Sequence, residues 1–150
     1  ILSNRILDAM REEAGASYTP QVFSIWPTEI ESGGRIVGIV QVPPDQAEVF
    51  FEVADRIAAD LAANGPTTEE LARATEPIAQ LITRLQTGHT FWLNQLEGAT
   101  RDPNLVTNLR SLLRDYTQVG PLELQLLAMK YLVPEKSFRI EVLPQEQPGR

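Results

Sequence analysis

Arg35-Ile36-Val37-Gly38-Ile39-Val40-Gln41-Val42 is a β-branched run that reads as a strand. Just before it, Thr28 to Gly34 is a turn ending Ser-Gly-Gly, and Ala16 to Trp26 is rich in Tyr, Thr, Val, Phe, Ile and Trp. That earlier stretch reads as the partner strand, so the two form a hairpin. Pro20 confines the first strand to an edge or an irregular start. On either side of the hairpin the apolar spacing changes to three and four. Upstream, Ile1, Leu2, Ile6, Leu7 and Met10 predict a helix to about Glu13, stopped by Gly15, with Arg11 favourably placed in its last turn. Downstream, Pro43-Pro44-Asp45 opens a long helix carrying Val49, Phe50, Val53, Ile57 and Leu61, closed by Asn64-Gly65. Thr67-x-x-Glu70 is a capping box for the next helix, which carries Leu71, Ala74, Ile78, Leu81, Ile82 and Leu85 on one side. Pro77 inside it predicts a kink or a short break. Asp102-Pro103 starts a short helix through Leu113, and Pro121 starts another through Tyr131. Ser137 to Leu143 (SFRIEVL) alternates and reads as a closing strand, followed by a polar tail with Pro148 and Gly149.

Helices and strands segregate rather than alternate strictly, which gives an α+β class. The expected architecture is an antiparallel sheet of about three strands with helices packed on one face. A hairpin and one terminal strand are few for so many helical faces. Helical spacing also begins at the first residue, so the chain reads as a piece of something larger, with further strands expected upstream. A truncated sheet would leave an edge open for self-association.

The 150 residues are 43% hydrophobic and 22% charged, enough for a substantial core. No run of about 18 apolar residues is present to span a membrane. A net charge of −7 lacks the footprint of a nucleic-acid binder. With no cysteine, disulfides and thiolate chemistry are excluded, and bacterial periplasm and cytoplasm are equally compatible. His89 is the one histidine, so neither His-x-x-Glu-His nor His-Glu-x-x-His occurs, and no metal site is expected in this chain. There is no Gly-x-Ser-x-Gly elbow, and Ser32-Gly33-Gly34 reads as a turn rather than a phosphate cradle. Glu12 and Glu13 are adjacent and diverge around a helix, which makes a poor acid/base pair. Trp26 and Trp92 are more simply core aromatics than partner anchors.

The segment Ile6 to Thr19 ends Arg-Glu-Glu-x-Gly-x-Ser-Tyr-Thr. It resembles the part of pitrilysin/insulinase-family zinc metallopeptidases in which a helix carries an Arg, a Gly ends it, and a strand begins with a Tyr seven residues on. The order that follows is also similar: a hairpin, a helix, then Gly65-Pro66-Thr67-Thr68-Glu69-Glu70-Leu71 introducing a second helix, and a last strand ending at Pro144. Pro20 and Pro77 depart from the family pattern without touching the Arg/Tyr pair.

The resemblance implies a non-zinc-binding, C-terminal peptidase domain over residues 1–150, with Arg11 and Tyr18 as substrate-binding residues and no catalytic residue of its own. The family's Zn2+ would be held outside this chain, by another domain of the same polypeptide or by a partner subunit. The substrate would be a peptide. Arg offers a planar fork of donors to carbonyl oxygens, and a tyrosine hydroxyl donates to an oxygen gaining negative charge. Two other readings stand beside this one: an inactive family member serving as partner subunit or scaffold, and an unrelated α+β interaction domain.

Overall fold

The computed structural model of the chain describes residues 1–14, 19–25, 33–97, 99–102 and 104–143. Along it run α1 (Leu2–Ala14), β1 (Gln21–Ile25), β2 (Arg35–Ile39), a 3-10 turn (Pro44–Gln46), α2 (Ala47–Asn64), α3 (Thr68–Gln86), α4 (His89–Gln95), α5 (Leu105–Gln118), α6 (Pro121–Tyr131) and a second 3-10 turn (Pro134–Lys136). Gly15, Tyr18, Trp26, most of the hairpin turn, Pro103 and the tail from Pro144 lie outside the described residues. The chain divides into two compact units, Ile1–Asn64 with Leu127–Arg150, and Gly65–Leu126.

In the first unit the four apolar positions of α2 that share a face, Phe50, Val53, Ile57 and Leu61, are all buried. Each such side chain contributes about 1.5–3 kcal/mol on leaving water. Ile6 and Met10, one turn apart on α1, and Ala128 on α6 complete this core, with Met10 and Val53 fully enclosed. Arg5 bonds Asp60 at 2.5 Å and Arg56 bonds Glu13, so α1 and α2 run antiparallel. The Arg56 pair is solvated and the Asp60 carboxylate is half-exposed, so both pairs add little beside the packing.

β1 and β2 pair antiparallel, with Gln21 opposite Ile39 and Ile25 opposite Arg35. A Cβ added at Gly38 would stand 3.9 Å from Phe50 Cζ, so that face of the hairpin meets α2. Phe23 and Ile39, on the other face by strand alternation, remain exposed. Pro20 immediately precedes β1, where its missing N–H costs no ladder bond.

The α+β class holds in its coarse form: helices with a small antiparallel sheet. The expected third strand does not. Residues 137–143 form no strand, and the described sheet has two. The alternation of SFRIEVL is real, but a strand needs an adjacent backbone, and the hairpin does not supply one. The segment is instead fixed by Arg139, which bonds Glu48 at 3.3 Å, bonds Asp55, and lies over the Phe51 ring. Asp55, with Glu48, holds the Arg139 pKa above its ordinary value.

The second unit begins where α2 stops. Gly65 takes φ +71°, the left-handed stop that glycine adopts without strain. The capping box is complete: Thr67 Oγ1 accepts from Glu70 N–H, and the Thr67 N–H donates to the Glu70 carboxylate. α3 continues through Pro77 without the expected break. Proline removes one amide, the partner of the Arg73 carbonyl, and both residues are exposed, where water can take its place. Of the apolar side of α3 only Leu71 and Ile82 are buried; Ile78, Leu81 and Leu85 stay well exposed. Leu109 of α5 is buried, and its carbonyl accepts from Gln86 Nε2 at 3.1 Å. α4 was not expected from sequence, and α5 starts at Leu105 and extends past Leu113 to Gln118.

Candidate functional site

Arg11 occupies the last turn of α1, where the unpaired carbonyls of a helix end favour a cation. The residue before it, Met10, is fully buried, so the backbone carrying Arg11 is anchored while its side chain is exposed. Arg5, Arg56 and Arg139 in the same unit are each committed to carboxylates. Arg11 is exposed, and among the described residues no hydrogen bond or ion pair engages its guanidinium. Tyr18, its expected companion, lies outside the described residues, so the pair is not brought together here.

The chain resumes at Thr19, which with Gln21, Ile39, Val40 and Gln41 lines an open cleft of about 420 Å³. Thr19 and Gln21 flank the start of β1; Ile39 ends β2, and Val40 and Gln41 follow it. The cleft therefore lies at the end of the hairpin opposite its turn. Its two amides and one hydroxyl can donate and accept, and its apolar walls can cover a side chain. None of these groups titrates near neutral pH, so the cleft is equipped to bind and not to move protons. Sequence reading missed it, because residues 19–21 and 39–41 meet only through the strand register.

His89 is the first residue of α4 and is exposed. Among the described residues, no three of His, Cys, Asp and Glu gather as metal ligands would. Trp92 is half-buried, donating its indole N–H to the Gln86 carbonyl at 2.8 Å and meeting Phe91 edge-on at 5.3 Å. That is a structural placement. No helix among the described residues is long and apolar enough to cross a membrane.

In the second unit, α5 carries an acid whose pKa is shifted. The Ser111 hydroxyl donates to Asp115 Oδ2 at 2.5 Å, and Arg114 is beside it. These hold the Asp115 carboxyl below its usual range, the Ser111 bond most of all. The group is a solvated helix pair at i, i+4, a common surface arrangement. Compared with models of protein families, with characterised proteins and with solved structures, the chain matches none.

Proposed function

We propose that this chain is the substrate-binding, metal-free part of a zinc metalloendopeptidase of the pitrilysin/insulinase type. The observation that carries the reading is Arg11: an exposed guanidinium without a described partner, on a helix whose other arginine, Arg5, is neutralised. An arginine with no partner among the described residues, beside a buried anchor, has five donors to offer a ligand. A peptide backbone offers carbonyl oxygens to that fork. Tyr18, seven residues on, would donate its hydroxyl to the carbonyl oxygen that becomes negative during hydrolysis. The cleft beginning at Thr19 would take the neighbouring part of the peptide. A lone exposed histidine is not a zinc site, so zinc in this reading belongs to another domain of the same polypeptide or to a partner subunit.

The test is peptide hydrolysis by the whole enzyme that contains this domain. Arg11→Ala and Tyr18→Phe should each lower kcat/KM by roughly a hundred- to thousandfold, about 2.7–4 kcal/mol for one lost donor at an oxyanion. Arg11→Lys should rescue poorly, since an ammonium does not reproduce the fork. Parent-like kinetics in Tyr18→Phe with an unchanged melting temperature would overturn the proposal. The reading as an inactive partner or scaffold draws on a different observation, the exposed apolar row Phe138, Ile140 and Val142. A whole protein that binds peptide but never cleaves it would favour that one.

A further inference from the structure

Residues 137–143 combine three properties. Ser137 starts the segment in extended backbone, φ −88° and ψ 148°. From Phe138 to Leu143 no backbone–backbone hydrogen bond is made among the described residues, so within them a row of N–H and C=O groups stands unpaired. Phe138, Ile140 and Val142, at alternate positions, are 86%, 70% and 88% exposed. Arg139 between them is held to α2 through Glu48 and Asp55, so the segment is tied down on its polar side while its apolar side faces water.

The sequence of this segment is complementary to itself. We propose that residues 137–143 form a dimerisation strand, pairing antiparallel with the same segment of a second copy about a twofold axis at Ile140. That register sets Phe138 against Val142 of the partner copy and Ile140 against its own counterpart, a continuous apolar cross-strand row. It also sets Arg139 against Glu141, once on each side of the axis, which is the charge complementarity an isologous contact requires. Glu141 has no ion-pair partner among the described residues. Arg139 spends its two terminal nitrogens on Glu48 and Asp55 and keeps its Nε–H for a third carboxylate. A one-residue slip in register would set Phe138 against Glu141, and a two-residue slip would set Arg139 against Arg139, so the pattern selects a single pairing. The inference stands on the first unit alone and does not depend on the peptidase reading.

Because the chain contains no cysteine, one introduced thiol reports the register directly. Residues directly opposite in an antiparallel pair have Cβ atoms about 4.5–5.5 Å apart, close to disulfide reach. Under mild oxidation Ile140→Cys should therefore link to its own copy. Phe138→Cys should not, because the two copies of residue 138 lie four positions apart, about 13 Å along the strand. Phe138→Cys mixed with Val142→Cys should link. Sedimentation across a dilution series should show a monomer–dimer equilibrium for the 150-residue chain. Glu141→Arg should weaken the dimer roughly tenfold, by placing like charges opposite each other at both symmetric positions. These positions are exposed, so the substitutions leave the core intact. A chain that stays monomeric throughout the series would overturn the proposal. So would self-linking of Phe138→Cys as fast as Ile140→Cys, or an unchanged dissociation constant in Glu141→Arg.

Discussion

Met10→Ala should loosen the first unit more than any substitution at its ion pairs. Met10 is 0% exposed, between α1 and α2. Alanine removes Cγ, Sδ and Cε; at about 0.8 kcal/mol per buried group the transfer part alone is about 2.4 kcal/mol. The space left behind adds to this, because Arg5–Asp60 and Arg56–Glu13 bridge the two helices and limit how far they can close. Comparable truncations cost about 2–5 kcal/mol, while exposed ion pairs contribute about 0–1 kcal/mol. Packing therefore dominates, and the loss is a large fraction of the roughly 5–15 kcal/mol by which a domain is stable. Amide hydrogen exchange at Val53 and Ile57 reads this unit directly. Their protection should fall roughly fiftyfold or more, given tenfold per 1.4 kcal/mol. Met10→Leu, which conserves volume, should cost less than about 1.5 kcal/mol. If Val53 and Ile57 stay within about threefold of the parent in Met10→Ala, α1 is not docked on α2 as described.

Gly65→Ala should lower the melting temperature, with about 1–2 kcal/mol lost to left-handed backbone at a residue bearing a Cβ. The new Cβ would also stand 3.1 Å from Gln125 Cβ, so an unchanged melt would contradict the φ of +71°. Ser111→Ala should raise the Asp115 pKa toward 3.8, its ordinary value, by removing the largest cause of its depression. A depressed carboxylate stabilises the fold above its unfolded pKa, and that contribution disappears as pH falls through the lower folded value. The substitution should accordingly weaken the fold above about pH 4 and leave it unchanged in strong acid. Carboxyl chemical shifts followed through an acid titration provide the check.

Where a sequence signal is local, the structure follows it closely. Gly65 stops α2, Thr67 and Glu70 cap α3, and Phe50, Val53, Ile57 and Leu61 all point into one core. Each of those outcomes depends on residues within a few turns of one another. α4 escaped notice because it is seven residues long and follows Gly88 without a side-chain cap, so neither periodicity nor a cap marks it. Pro43 and Pro44 signal the start of α2 in sequence, but Pro43 is extended, at ψ 150°, and one 3-10 turn intervenes before Ala47. A residue preceding proline is pushed out of helical backbone, which delays the start. Residues 137–143 show the limit in the other direction: alternation reveals the capacity to be a strand, and only a neighbour makes it one. Of the site, Arg11 was legible as a helix-end cation. That no described residue pairs with it was not, because this depends on where Asp60, Glu13, Glu48 and Asp55 direct their carboxylates.

The first unit is assembled from two separated stretches of chain, and this fixes the order in which it can form during synthesis. Ile6 and Met10 share a core with Ala128, and Arg139 closes on Glu48 and Asp55 across 91 and 84 residues. The ribosome must translate the roughly 60 intervening residues before any of those contacts exists, about 3–12 s at 5–20 residues per second. During that interval α1 and α2 are in place while the seat of Ala128 is still open to water. Residues 65–126, by contrast, are continuous and hold their own contacts. The nascent chain thus passes through a stage in which its later half-core is finished and its earlier one is still waiting. A chaperone that shields apolar surface would find its substrate there, on the inner face of α2.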